Sequence, residues 1–255
     1  MIKKPGAGRY LPAEGPGRSP NISYGEVIEL FGLDERLKLC ALFVRKGAKL
    51  ADIGTDHAYL PVWLVLSGMI DSAVAADVRE GPLANAQSNI NKNGVSDKIR
   101  TVLSDGLDEI SSDEADDIVI AGMGGELIIK LIDRTEWLRD DNKRLILQPM
   151  TRAEMLRSYL YKNGFEIMNE KACISMGKSY SVMLCRYDGK TRECNDEIMY
   201  IGNLVNDDSE ESKKYVYVIN EKLKKKLRGC IPGTEEYDRL YTLIRRFEIL
   251  SGEDQ

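Results

Sequence analysis

Leu50-Ala51-Asp52-Ile53-Gly54-Thr55-Asp56-His57-Ala58-Tyr59-Leu60-Pro61 is the stretch from which the rest of the chain can be read. It begins as a short apolar run and passes one glycine. Around that glycine it gathers two acids, the only histidine of the chain and a tyrosine. An apolar run, a glycine and then a helical apolar pattern mark a strand-to-helix turn. The expectation is a strand over 49–53 and a helix over 57–67. Pro61 is tolerable there only because it falls in the first turn or so.

Outward from that turn the chain alternates. SAVAAD (72–77) reads as a buried strand ending in an acid, and 82–93 as a helix with Pro82 near its start and Gly94 at its end. Strands follow over 99–104, 117–121 and 144–148, with a helix over 126–134 between the last two. A helix over 152–163 ends at Gly164. Residues 165–174 and 180–187 read as antiparallel strands joined at Met176-Gly177-Lys178. Upstream, Asp34 is a candidate N-cap. Leu33, Leu37, Cys40, Ala41 and Val44 recur at helical spacing over 34–45, and Gly47 closes that helix. Strands alternating with helices imply an α/β fold: a doubly wound, mostly parallel, Rossmann-like sheet with an antiparallel edge hairpin.

Beyond Asp188 the character changes. Residues 189–197 are polar, and helical patterns follow over about 208–228 and 234–251, with Pro232-Gly233 between them. Leu223, Leu227, Tyr237, Leu240, Ile244, Phe247 and Leu250 would form the seam of a helical hairpin. Residues 1–22, rich in proline and glycine, read as a disordered extension, and 24–30 as a short helix or docking segment. The expected organisation is an extension over 1–22, an α/β domain over 23–190 and a helical appendage over 191–255.

The totals narrow the function. A chain of 255 residues, 43% hydrophobic and 30% charged, has ordinary globular composition. Its longest apolar run, 60–66, is far too short to span a bilayer. Lys3 and Lys4 have no apolar segment behind them, so a secretory signal is not expected and the cytoplasm is the expected location. Five scattered cysteines without a CxxC pair, with one histidine, offer no ligand set for zinc, and no metal is expected. The net charge of −5 argues against bulk nucleic-acid binding. Charge is uneven, however. Residues 212–228 hold Lys213, Lys214, Lys222, Lys224, Lys225, Lys226 and Arg228 against Glu221 alone, enough for a local basic face.

In a doubly wound sheet, ligands sit at the carboxyl ends of the strands. There the chain places Asp52 and Gly54, Asp77-Val78, Asp105-Gly106, Gly122-Met123-Gly124-Gly125 and Gln148-Pro149. Gly54 lets the backbone approach a ligand closely. Asp77 suits two ribose hydroxyls. Asp105 suits an exocyclic amine and Met123 an adenine face. The amides of 122–125 open the next helix and can bond a polar ligand group. A dinucleotide would call for GxGxxG after the first strand to hold its pyrophosphate. The turn here reads Gly54-Thr55-Asp56-His57, with an aspartate where a pyrophosphate would come. An adenosyl ligand without phosphate, such as the cationic S-adenosylmethionine, is the better match.

LADIGTDHAYLP, AADVREGPLANA, SDGL, IAGMGG and LILQP together resemble the bacterial tRNA (adenine-22, N1)-methyltransferase family, over about residues 33–187. The resemblance implies a class I methyltransferase domain with S-adenosylmethionine as cofactor and tRNA as partner, and a C-terminal coiled-coil-like domain. It implies that Asp52, Gly54, Asp77, Val78, Asp105, Gly106, Gly122 and Met123 line the cofactor pocket. Arg36 would reach the cofactor's carboxylate or the substrate. Asp56, His57 and Tyr59 would face the target adenine. Gln148, Pro149, Lys222, Lys224, Lys225, Lys226 and Arg228 would meet the tRNA. The chain departs from the family pattern in its Pro/Gly-rich extension and in Met150, where the family commonly has Asn after Gln-Pro.

By this reading Asp56 accepts from the adenine N6 amine, and Tyr59 stacks on the extruded base. Plainer readings stand beside these: Asp56 as the N-cap of the next helix, His57 as a structural hydrogen-bonder, Tyr59 as core, and 222–228 as a solvated helix face. Trp63 and Trp137 read as packing residues. A non-catalytic tRNA-binding module on the same fold and a nicotinamide-dependent oxidoreductase are the alternative functions. A monomer is expected.

Overall fold

The computed structural model describes residues 32–252, so the extension expected over 1–22 and the segment over 24–30 lie outside the described residues. In chain order the elements are α1 (Glu35–Phe43), β1 (Lys49–Ile53), α2 (Tyr59–Leu66), β2 (Ser72–Asp77), α3 (Glu80–Lys92), β3 (Ile99–Leu103), β4 (Asp117–Gly124), α4 (Gly125–Arg134), β5 (Arg144–Thr151), α5 (Ala153–Lys162), β6 (Phe165–Ser175), β7 (Lys178–Tyr187), α6 (Asp196–Ile201), α7 (Glu210–Leu227) and α8 (Glu235–Ser251). The strands form one sheet in the order β3-β2-β1-β4-β5-β7-β6. The first five are parallel, and β7 runs antiparallel between β5 and β6.

Strand periodicity divides the core between the two faces of the sheet. Leu50, Ala73, Ala75, Val119 and Ile146 point toward the side carrying α1, α2 and α3. Ala51, Ile53, Val74, Ile118, Ile120, Leu145 and Leu147 point toward α4 and α5. Each fully buried Leu or Ile contributes about 1.5–3 kcal/mol. Helix α2 is buried from Leu60 to Val65, which is why its run lacks a polar face. Trp63 belongs to the same core. Trp137 is a partly buried neighbour of the other face.

Asp34 caps α1 by accepting from the Leu37 amide at 3.0 Å. The helix stops at Phe43, short of Gly47, because Val44 is already extended. Gly47, at φ 75, instead turns the chain into β1. Strands β4 and β5 both run three residues further than their apolar runs imply, because they continue pairing past Ala121 and Gln148.

The C-terminal helical hairpin closes on Val216, Leu223, Leu240, Leu243, Ile244 and Phe247, with Leu227 and Leu250 at its margin. Between the polar stretch and the hairpin lies an element that periodicity misses, α6, capped by Asn195. Arg157 of α5 ties this region to the sheet. It is fully buried and pairs with Glu170 of β6 at 2.7 Å. It also donates to the carbonyls of Met199 and Tyr200 and to the Tyr215 hydroxyl of α7. Removing one partner of such a buried pair typically costs about 3–5 kcal/mol. Among the described residues no helix is long and apolar enough to cross a membrane.

Candidate active site

β1 stops at Ile53, and Gly54 turns the chain at φ 77. The amides of Gly54 and Thr55 both donate to the Ala76 carbonyl, at 2.8 and 3.0 Å, so the turn is stitched to the end of β2. A Cβ on Gly54 would lie 2.4 Å from the Met123 Cε. That methyl is the flexible end of its side chain and could give way, so it is the left-handed φ that calls for glycine here. Thr55 donates its hydroxyl to Asp52 at 2.6 Å. Burial pushes the Asp52 carboxyl up from 3.8 to about 6; the Thr55 hydrogen bond opposes this and the nearby Asp77 charge adds to it. Asp77 is itself buried, and its Oδ1 accepts from the Arg79 amide at 2.9 Å.

The rest of the loop is left-handed at two non-glycine residues, Asp56 (φ 47) and Ala58 (φ 53). They delay α2 to Tyr59, two residues later than the sequence pattern implies, and the helix has no side-chain cap. Asp56 is therefore not its N-cap. The Asp56 side chain is 62% exposed, with Oδ2 3.7 Å from His57 Nε2. The His57 ring stacks on Tyr59 at 5.1 Å and 23°. Tyr59 is 43% exposed, so it is not core. The His57 carbonyl is held by the Asn89 amide at 2.8 Å.

Two adjoining cavities meet over this loop. One, of about 400 Å³, is lined by Arg36, Asp52, Gly54, Thr55, Asp56, His57, Tyr59, Asp77 and Gly122 among others. The other, of about 220 Å³, is lined by Gly54, Asp77, Val78, Asp105, Gly106, Gly122, Met123, Leu127 and Leu131 among others. Gly54, Asp77, Arg79, Ala121 and Gly122 border both. The fold thus brings together the residues expected at the cofactor with those expected at the base, in two connected chambers.

Gln148 and Pro149, expected at the tRNA, are buried, while Gly122 and Asp105 line the chambers as expected but already hold partners within the chain. The Gly122 amide is not free for a ligand, because it donates to Gln148 Oε1 at 3.0 Å. Gln148 is fully buried, and the same oxygen accepts from Arg36 Nη1 at 2.9 Å. Gln148 therefore fixes Arg36 and the β4 turn and presents no side chain to an RNA. Pro149 is buried beside it. Met150 lies next to this cluster, its sulfur 3.5 Å from Arg36 Nη1. Asp105 is exposed and held by Arg134 of α4 at 2.8 Å. The Arg134 hydrogen bond keeps its carboxyl below the ordinary range.

Thr55, Arg79 and Arg134 belong to this site and went unassigned in the sequence. Thr55 stands three residues after Asp52, a spacing that lets its hydroxyl reach back. Arg79 stands two after Asp77, the spacing of an Asx turn. Arg134 had no local signal, since its partner is 29 residues away.

The basic run lies elsewhere. The first turns of α7 pack on the sheet, with Glu211 beside Cys173 and Ile174 and Tyr215 on Arg157. Residues 222–228 follow about 10–20 Å further along the helix. Lys224 pairs with Glu248 at 3.2 Å and Lys226 with Glu236 at 3.0 Å. Lys222, Lys225 and Arg228 are exposed and show no ion pair among the described residues.

Comparison with known proteins fits this geometry. A methyltransferase-domain family profile matches residues 33–183, which contain both chambers. The tRNA (adenine(22)-N(1))-methyltransferase of Bacillus subtilis strain 168 is 37% identical over 164 residues, covering 62% of this chain and 69% of that protein. A crystal structure of Streptococcus pneumoniae Sp1610, described as a candidate tRNA (m1A22) methyltransferase, is 34% identical with a TM-score of 0.75, covering 86% of this chain and 99% of that one. Its complex with S-adenosyl-L-methionine aligns with a TM-score of 0.74 at 34% identity, over 85% of this chain and 98% of that one. With a matching domain profile, a relative of this identity and neighbours aligned through the appendage, the chain belongs to the tRNA (adenine-22, N1)-methyltransferase family.

Proposed function

We propose that this chain methylates N1 of adenine 22 in tRNA, using S-adenosylmethionine. The observation that carries the reading is the two-chambered cavity, with Asp77 and Gly54 at its junction and Asp56, His57 and Tyr59 at the larger chamber's wall. The residues suit an adenosyl ligand. Gly54 and Met123 form a close apolar surface, and Asp77 at the junction suits ribose hydroxyls. Four carboxylates line the larger chamber: Asp34, which is paired with Arg36, and Asp52, Asp56 and Asp77. They favour a cation and disfavour a pyrophosphate. This argues against a nicotinamide dinucleotide. Arg36 borders the same chamber and suits a carboxylate.

The bound cofactor would supply the electrophilic methyl group. The chain's own work is alignment and charge. Adenine N1 has an in-plane lone pair, so no proton need leave before attack. Asp56 accepts from N6–H, which raises electron density at N1 and stabilises the positive charge that develops on the ring. The proton lost afterwards is the one on N6, facing the same carboxylate. The His57–Tyr59 stack gives the extruded base a flat neighbour. Arg134 must yield part of its hold if Asp105 is to accept an exocyclic amine. Residues 191–255 act as the tRNA-binding appendage, and the acting unit is a monomer. Mass mapping of modified adenines after incubating protein, tRNA and cofactor tests the reading. A single new methyl at adenine 22 is expected; cofactor binding with no label at that position would defeat it.

A further inference from the structure

Among the described residues, the non-glycine positions with positive φ are Asp56, Ala58, Arg152 and Met176. All lie at one edge of the sheet, where β1 and β5 end and β6 turns into β7. Such backbone is uncommon for side chains other than Asn and Asp, and it concentrates at working surfaces. The first two belong to the site already described. Met176 does not. It opens the two-residue turn between Ser175 and Lys178 at φ 49, followed by Gly177 at φ 73. A hairpin turn with two positive φ values favours Asn-Gly or Asp-Gly. Here the first position is methionine, and it is 96% exposed, so the fold gains no packing from it.

The turn stands on the substrate side. β7 runs antiparallel to β5, so the turn projects from the edge at which the parallel strands end. The Arg36 guanidinium, which borders the larger chamber, lies 5.5 Å over the Tyr180 ring. The turn is two to four residues beyond Tyr180, about 7–13 Å by strand rise. Lys178 is exposed and shows no ion pair among the described residues. Arg152, at φ 57, is exposed with only a 3.8 Å approach to Glu154. Residues 175–179 contain no acid.

We propose that the β6–β7 turn is an RNA-contact element of this enzyme, with Met176 as an apolar wedge. Lys178 and Arg152 pair with backbone phosphates on either side of the target. Met176 packs against base faces laid open when adenine 22 leaves its stack, as apolar side chains do in kinked nucleic acids. The proposal rests on the tRNA-methylation reading and adds a residue outside the cofactor and base chambers.

The test uses the full chain and a tRNA carrying adenine 22. Met176→Asn suits the turn's backbone, so its melting temperature should stay at or above that of the wild type. Its kcat/KM for tRNA should fall about five- to fiftyfold, with S-adenosylmethionine affinity unchanged. Met176→Ala should behave alike in catalysis. Lys178→Gln should flatten the salt dependence of tRNA binding by about one phosphate contact. Wild-type activity with both Met176 variants within twofold of it overturns the wedge alone. Cofactor affinity lost in proportion to kcat/KM also overturns it. Wild-type protein that leaves adenine 22 unmethylated overturns instead the reading on which the wedge rests.

Discussion

Asp77 and Asp56 face the same chamber from neighbouring strand ends, and the fold prepares them in opposite ways. Asp77 is 6% exposed, at the end of a strand, with one oxygen already held by a backbone amide. Asp56 has a side chain 62% exposed, in a left-handed loop, and among the described residues its one ion-pair partner is His57. The first is set by burial and the second by backbone conformation. A buried carboxylate of fixed direction suits a small ligand that binds the same way every time. An open one suits a base delivered by a macromolecule, which completes the site when it arrives.

The contrast breaks most visibly through Asp56. Asp56→Ala should lower the single-turnover rate of tRNA methylation about 10²–10⁴-fold, the range of a positioned acid–base group. Cofactor affinity, read by calorimetry, should move less than twofold. Asp77→Ala should do the reverse. Two hydrogen bonds to a charged acceptor are worth about 1.5–3 kcal/mol each. Water entering the gap recovers part of that, so cofactor affinity should fall about a hundredfold. The rate at saturating cofactor should change far less. Exchange of the two phenotypes would refute the division of the chamber.

Asp52 sharpens the same contrast, because its burial gives it a titration in an accessible range. Its carboxyl is pushed from 3.8 to about 6, by burial first and by the Asp77 charge last. A raised folded-state value means that its contribution to stability is complete below about pH 4 and is lost as pH rises through 6. A cationic ligand favours the ionised form, so binding releases the proton. S-adenosylmethionine affinity should therefore rise about tenfold between pH 5 and pH 7. Asp52→Asn keeps an acceptor for Thr55 and should flatten both profiles. An unchanged pH profile in that variant would place the titration on another group.

Why some of this was legible in the sequence is a matter of range. β1 and β2 are buried on both faces, and their apolar runs break at acids that are themselves buried. Asp52, Gly54 and Asp77 sit at those breaks, so alternation alone puts them at one edge. The limits of α2 were not legible, since left-handed Asp56 and Ala58 carry no residue signal comparable to glycine. Short α6 follows a polar segment, and the Met199 and Tyr200 carbonyls near its end accept from Arg157, 42 and 43 residues away. The Gln148 oxygen shared by Arg36 and Gly122 spans 112 residues and leaves no local pattern.

Along α7 the same distinction between prepared and open groups recurs among cations, with the smallest effects. Lys224 and Lys226 are committed to Glu248 and Glu236 of α8 and hold the hairpin together. Lys222, Lys225 and Arg228 are exposed beside them with no ion pair among the described residues. If the appendage meets tRNA, the second set carries the contact. Replacing any one of the three with Gln should weaken tRNA binding about threefold and flatten its salt dependence by about one contact. Lys224→Gln and Lys226→Gln should leave that salt dependence in place and cost stability instead, about 0.2–1 kcal/mol for partly exposed pairs. Fluorescence anisotropy at several salt concentrations separates the two sets. A salt dependence equal to that of the wild type in all five variants would take these five cations out of the RNA contact.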